Sequence, residues 1–419
     1  MSELIYYKFP DLYEISSGIS TTKEQAGHGS PFVSYSDVYN NHFLPALLTE
    51  RMNTSPSEQE TYSVRAGDVF LTRTSETLDE LALSSVALWD YPRATFSGFT
   101  KRLRPRGLER VDSKFMGFFL RSDYFRKIIN NVTTMTTRAS FNETIFSHIE
   151  IGLPKIEKQR QIGDFLYSIE EKIQTNRSVN LHLLEQLNSM YGYWFLQFAF
   201  PDSTGRPYFD SRNPMVWNDE LGRDIPAQWS VEPLTMNRLC SLIKPGVEKF
   251  ESKMYLATSD VVGTAVGSGS TVNFESRESR ANMQPTLNSI WFARMKASRK
   301  HLFLNEAAKD IINGAVLSTG FCGLQASRTS FAYLAALVAS PYFEQAKDQF
   351  ANGATQQAVS NTDLRNIKVL IPDDSTLAAF AEVADPLIQL FNANILENKR
   401  LAAARDWMFP LLLNGQAEL

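Results

Sequence analysis

The chain has 419 residues, with 42 Lys and Arg against 46 Asp and Glu, a net charge of −4, 43% hydrophobic residues and 12% aromatics. That length exceeds one ordinary domain and that apolar content suffices for true cores, so two globular units of roughly 150 residues with connecting elements are expected. Cys240 and Cys322 lie far apart and outside any C-x-x-C spacing, which gives no disulfide framework and no cysteine zinc site. The longest apolar run, 331–339, is too short to span a bilayer, and the first residues lack a basic start followed by an apolar run, so a cytoplasmic protein is expected.

In chain order, strand-like runs come first, at 31–35, 68–72 and 86–89, followed by a helical stretch at 113–131. The alternating segment Ile149-Glu150-Ile151-Gly152-Leu153-Pro154 ends a first globular part, 1–154. Period two followed by Pro reads as a strand leaving a sheet. The period then switches to 3.5: Ile162, Leu166, Ile169, Ile173, Asn176, Asn180, Leu183, Leu187, Met190 and Trp194 are spaced alternately by four and three. That seam predicts a long coiled-coil helix within 155–200. Residues 201–228, rich in Pro and turn formers, predict a connector. A second globular part, 229–372, ends on Ile367-Lys368-Val369-Leu370-Ile371-Pro372. A second helix, within 373–419, repeats the seam at Phe380, Ala384, Leu387, Phe391, Asn394, Asn398, Leu401, Arg405, Met408 and Leu412.

The second half is a diverged copy of the first. From Ser122 onward the offset is 218 without a gap, through Ser122/Ser340, Phe125/Phe343, Thr144/Thr362, Pro154/Pro372, Asn176/Asn394 and Leu183/Leu401. Upstream the match is fainter: Arg73 answers Arg294 at 221, Gly98-Phe99 answers Gly320-Phe321 at 222, and Ser36-Asp37-Val38 answers Ser259-Asp260-Val261 at 223. The expected fold class is α+β, a tandem duplication of a globular part plus a long helix. The two helices are expected to pack as an antiparallel coiled coil with pseudo-two-fold symmetry, the symmetry by which proteins commonly meet duplex DNA.

Two consecutive seam positions are Asn in both copies. A buried Asn costs stability unless its amide is paired, and its best-attested use is to set register. Antiparallel helices bring Asn176 and Asn180 against Asn394 and Asn398, where the amides satisfy one another; the other reading leaves each helix on its own globular part with these residues facing water.

No catalytic constellation is present. The chain has no Gly-Lys pair and so no phosphate-binding P-loop, and its five histidines are scattered without the spacing of a metal site. Asn213-Pro214-Met215 lacks the second Pro and the aromatic of the methyltransferase tetrapeptide. An enzyme acting alone is not expected, and no cofactor or metal is assigned.

The net acidity argues against nucleic acid on its face, but phosphate attraction is local over about a Debye length, ~8 Å, so clusters decide. Lys101, Arg102, Arg104, Arg106 and Arg110 fall together in the first copy; Arg294, Lys296, Arg299, Lys300 and His301 do so in the second. Arg73 and Arg294, each just after a strand-like run, suit groove reading, because arginine meets guanine bidentately. Arg138 in the first copy, with Thr355 and Gln356 in the second, occupies an equivalent loop suited to phosphate or base-edge contacts. The solvated-face reading of these clusters stays open at this point.

Taken together the pattern resembles the specificity (S) subunits of Type I restriction-modification systems. The resemblance rests on Thr137 to Asn142, Ile149 to Pro154 running into Lys158-Gln159-Arg160-Gln161-Ile162, and the Asn176/Asn180 helix. In the second copy it rests on Gly353 to Gln356, Asn366 to Pro372 and Leu401 to Gly415. It spans the full length, and its specificity lies in arrangement more than in any one motif. Asp374-Ser375-Thr376-Leu377 departs from the family's Glu-Gln pair and is expected to change only the helix start. The resemblance implies a non-catalytic DNA reader: target recognition domains at 1–154 and 229–372 each read half of a bipartite site on double-stranded DNA. Spacer helices at 155–200 and 373–419 dock DNA methyltransferase (M) subunits, two of them, and restriction (R) subunits join through the complex. The competing reading is a duplicated coiled-coil scaffold or regulator without base readout.

Overall fold

A computed structural model describes residues 4–75, 80–133, 139–211, 213–267, 269–353 and 357–419. They fall into two units, Met1–Glu171 with Leu401–Leu419, and Lys172–Arg400.

In the first unit an antiparallel four-stranded sheet has the order Tyr13–Ser17, Thr100–Pro105, Val69–Thr72, Ser84–Val86. In the second unit Cys240–Leu242, Phe321–Ala326, Ser289–Ala293 and His301–Leu304 form a sheet of the same order. Each unit adds a second sheet with one parallel pair, three-stranded in the first unit with Phe32 against Thr95 and four-stranded in the second with Tyr255 against Val316. The duplication is therefore a repeat of strand connectivity, including the rarer parallel contact. Register refines the sequence alignment: Thr72 pairs with Thr100 and Ala293 with Phe321, an offset of 221 on both strands. Phe99 thus answers Gly320, and the 222 alignment of Gly98-Phe99 with Gly320-Phe321 is one residue out of step.

The conserved offset has local causes. The helical stretch at 113–131 is two helices, Ser113–Phe119 and Asp123–Val132, because Ser122 caps the second by accepting from the Phe125 amide. Ser340 does the same for Phe343 ahead of Pro341–Phe350. Phe125 and Phe343, one turn inside each cap, are fully buried. The segments ending in Pro154 and Pro372 are the strands Glu150–Leu153 and Lys368–Ile371, each pairing with the strand that opens its repeat, Ile5 opposite Leu153 and Ser230 opposite Ile371. Other boundaries move. Residues 31–35 belong to Ala26–Val33 and to a helix, Tyr35–Asn40, opened by the Ser34 cap, and of the run at 86–89 only Val86 is strand, the last residue of Ser84–Val86. Residues 201–228 are more than turns: the hairpin Met215–Asn218/Arg223–Pro226 buries Ile225, and Tyr208 stacks on Phe200, which stacks on Trp229.

The long helices are Ile156–Tyr191, closed by a π-helical turn at Gly192–Leu196, and Asp374–Leu413, which continues through Pro386 and Pro410. In the second unit they run antiparallel. Asn176 Nδ2 donates to Asn398 Oδ1 at 2.9 Å and to Glu397 Oε2 at 2.7 Å, while Asn394 Nδ2 donates to Asn180 Oδ1 at 2.8 Å. Asn180 Nδ2 donates to the Phe391 carbonyl at 3.0 Å. Asn176, Asn180 and Asn394 are buried, so these bonds offset a desolvation of about 1–3 kcal/mol per group. In the first unit the buried pair Arg405 and Glu170 joins the same two helices, and Phe115 packs on Phe409 at 5.9 Å between ring centroids.

The two helix starts differ in chemistry. Gln159 is buried and donates to the Arg110 and Pro154 carbonyls at 3.0 and 2.8 Å, while its Oε1 accepts from the Asp112 amide at 3.0 Å. Its counterpart Leu377 is apolar and buried, and the start is held instead by Asp373, which accepts from the Thr376 amide at 2.9 Å and from Trp229 Nε1 at 3.0 Å.

Candidate nucleic-acid interface

Arg73 and Arg294 occupy one backbone environment. The Arg73 amide donates to the Phe99 carbonyl at 2.9 Å and its carbonyl accepts from Phe141; the Arg294 amide donates to Gly320 at 3.0 Å and its carbonyl accepts from Val359. Their side chains differ. Arg73 is exposed, with one bond from Nη1 to the Gly98 carbonyl at 3.3 Å. Arg294 is half-buried and donates to the carbonyls of Phe321 and Val359 and, at 2.8 Å, to Asn361 Oδ1. Its guanidinium is committed to holding the strand end against the loop at 359–361.

The first basic run is internal at Lys101 and Arg102 and committed at Arg104, which revises its reading as a DNA-facing cluster. Lys101, Arg102 and Arg104 lie on Thr100–Pro105, an inner strand of the four-stranded sheet, and both faces of that strand are covered at Lys101 and Arg102; Arg106 and Arg110 follow the strand and are exposed. Lys101 is buried and donates to Ser17 Oγ at 2.8 Å; burial, and then the nearby Arg73, push its pKa down. Arg102 is buried over the Phe96 ring and donates to the Ser63 carbonyl at 2.6 Å, and burial followed by Arg104 lowers its pKa to about 10. Arg104 makes two bonds of 2.7 Å to Asp68, the bidentate geometry that commits a guanidinium most fully. Arg106 is exposed and pairs with Glu14 at 2.8 Å.

The second run is a presented loop. Met295 bridges to Ala358, the Lys296 amide donates to Gln357 at 2.9 Å, and Ala297, at φ 57°, turns the chain with its amide on Asp348 Oδ1. Lys347, fully buried, supports the loop from beneath by donating to the Ser298 carbonyl at 2.8 Å. Glu344 lies 2.8 Å from Lys347 Nζ and 2.8 Å from His301 Nε2. Burial pushes the Glu344 carboxyl up, but the contacts with His301 and Lys347 outweigh it and hold it below the usual range. Lys300 donates to the Thr258 carbonyl. Lys296 and Arg299 remain exposed, and among the described residues their side chains form no hydrogen bond or ion pair. Charge counting missed this support: His301 entered as part of the basic run, and Lys347, a turn after Glu344, was not assigned a part.

Arg138, Thr355 and Gln356 lie outside the described residues. Among the described residues no group of three or more His, Cys, Asp or Glu is placed to hold a metal ion, and no helix is long and apolar enough to cross a membrane. What the surface offers is exposed cation on rigid backbone, suited to phosphate oxygens and base edges.

Comparison with known proteins agrees on one family. The sequence profile described as the Type I restriction modification DNA specificity domain matches residues 2–185. The Type I restriction enzyme MjaIX specificity subunit of Methanocaldococcus jannaschii is 21% identical over 428 residues, covering 98% of this chain and 92% of that protein. The MjaVIII specificity subunit of the same organism is 29% identical over 69 residues, 16% of each chain. Among solved structures, the S subunit of a Type I restriction-modification system from M. genitalium superposes with a TM-score of 0.50 at 13% identity, covering 100% of this chain and 97% of that one, a likeness of fold.

Proposed function

From the match of residues 2–185 to the Type I restriction modification DNA specificity domain and the full-length similarity to a Type I specificity subunit, we infer that the chain is the DNA-reading subunit of a methyltransferase and restriction complex, with no catalytic step of its own. Residues 1–154 and 229–372 each read one half of a bipartite site on double-stranded DNA. The helices within 155–200 and 373–419 set the distance between the halves and dock two M subunits, through which R subunits join. The Asn176, Asn180, Asn394 and Asn398 amides fix the register on which that distance depends.

The observation that carries this reading is the repeat of one sheet order, 221 residues apart, with different side chains at equivalent surface positions. One scaffold twice with two surfaces is what two unlike half-sites require. Of the basic residues, Arg73, Lys296 and Arg299 are the primary DNA contacts, and Arg106, exposed but paired with Glu14, joins them by exchanging that carboxylate for a phosphate. Lys101, Arg102, Arg104, Arg294 and Lys300 act mainly by shaping the strands and loops that carry them. Arg138, Thr355 and Gln356 keep their proposed contacts on their residue types.

The test is methylation mapping in cells expressing the chain with its M subunits. A bipartite motif with one modified adenine in each half is expected. Replacing Lys296 and Arg299 by Ala should weaken binding to all duplexes and lower the salt dependence of affinity by one to two contacts' worth of slope. Complexes that form but modify no defined motif would sink the reading and favour the scaffold.

A further inference from the structure

Phe99 is 68% exposed at the tip of the turn between Thr95–Phe96 and Thr100–Pro105. That turn is held from several sides. The Ile19 amide donates to the Phe96 carbonyl at 2.9 Å, the Gly98 amide donates back to Ile19 at 2.8 Å, and the Thr100 amide and hydroxyl both donate to the Ser97 carbonyl, at 2.9 and 2.8 Å. The Phe99 amide itself donates to Ser97 Oγ at 3.2 Å. The packing is close enough that a Cβ on Gly18 would lie 2.2 Å from the Ser97 carbonyl oxygen. A phenyl ring held out on such a turn can gain apolar burial on binding with little ordering cost.

Arg73 stands beside it. Its amide donates to the Phe99 carbonyl and its Nη1 to the Gly98 carbonyl, so the exposed cation and the exposed ring are fastened to the same two peptide units. An aromatic with a guanidinium at its flank suits a nucleic acid: the guanidinium meets a base acceptor or phosphate, and the ring meets a thymine methyl or a base face. The second unit lacks the pair. Register places Gly320 where Phe99 stands, and Arg294 spends its guanidinium on Phe321, Val359 and Asn361.

We propose that Phe99 and Arg73 form a base-contacting element particular to the first unit, the ring making an apolar contact with a base of the first half-site and the guanidinium a charged contact beside it. This rests on the DNA-reading function inferred above. The test uses the assembled complex with M subunits, comparing wild type with Phe99→Ala, Phe99→Leu and Arg73→Ala. The readouts are affinity for a duplex carrying the mapped site, affinity for an unrelated duplex, and the methylation motif. Both side chains are exposed, so thermal unfolding should be unchanged. Phe99→Ala is expected to weaken the specific duplex by about tenfold and to relax base preference in one half only, with Phe99→Leu intermediate. Arg73→Ala should affect that same half. A wild-type motif and affinity in both alanine variants would overturn the proposal while leaving the DNA-reading function intact; a wild-type complex with no motif would instead overturn the function beneath it.

Discussion

Asn394 donates to Asn180 Oδ1 at 2.8 Å while Asn180 donates to the Phe391 carbonyl at 3.0 Å, so one amide serves as acceptor for the opposite helix's side chain and donor to its backbone. Asn180→Leu removes both roles and strands a buried Asn394 amide, at a cost of about 1–3 kcal/mol. Asn180→Leu with Asn394→Leu should recover part of that loss, because no orphan donor remains between the two positions. Urea denaturation of the two single variants and the double variant measures the coupling, and strictly additive losses would show that the amides do not act as a pair.

The buried pair Arg405 and Glu170 gives the opposite balance. Both side chains are only 9% exposed, and the Arg405 guanidinium also reaches Asp406 at 2.8 Å. Arg405→Met leaves the Glu170 carboxylate buried without that cation and should cost about 3–5 kcal/mol. Adding Glu170→Leu should restore much of it, since an apolar pair of similar volume avoids the desolvation of both ions. Thermal unfolding of the single and double variants checks this; a double variant no more stable than the single one would mean that the pair contributes by more than the charge balance between Arg405 and Glu170.

The second helix start should be acid-sensitive. Burial pushes the Asp373 carboxyl up, but bonds from Ser375, Thr376 and Trp229 outweigh it and bring its pKa to about 2, from an ordinary 3.8. A folded-state pKa below the unfolded one contributes stability that is fully present above about pH 5 and fades as pH falls toward 2. Asp373→Ala should therefore destabilise the protein at pH 7 by about 1 kcal/mol or more, and the difference from wild type should shrink between pH 4 and pH 2. Parallel unfolding curves across that range, with a constant difference, would rule out the carboxylate as the cause.

The helices were legible because their signal is one of spacing. Ile162 to Trp194 and Phe380 to Leu412 each repeat fours and threes, and the paired Asn positions told which way the partner should run. The strand ends were legible through Pro154 and Pro372. The charged surface was much less so. Counting Lys101, Arg102 and Arg104 as one basic run ignores that their strand lies inside a sheet, where Asp68 and the Ser63 carbonyl, more than thirty residues away in sequence, compete for the same cations. The support under 295–300 was hidden for a related reason: His301, Glu344 and Lys347 meet only once the strand and the helix Pro341–Phe350 are packed. Phe99 carried no periodic or charge signal, and a single misplaced register step aligned it with buried Phe321 in place of Gly320.

The first unit is discontinuous in sequence, because Phe409, Leu412 and Leu413 pack with Phe115, Ile162 and Leu166 in one core. The second unit is a single stretch. The half that is translated later therefore has all of its residues synthesised first, while the earlier half still needs Phe409, Leu412 and Leu413 for its core. Order of synthesis and order of completion are inverted: a chain ending near Arg400 holds every residue of the second unit and still lacks the last part of the first.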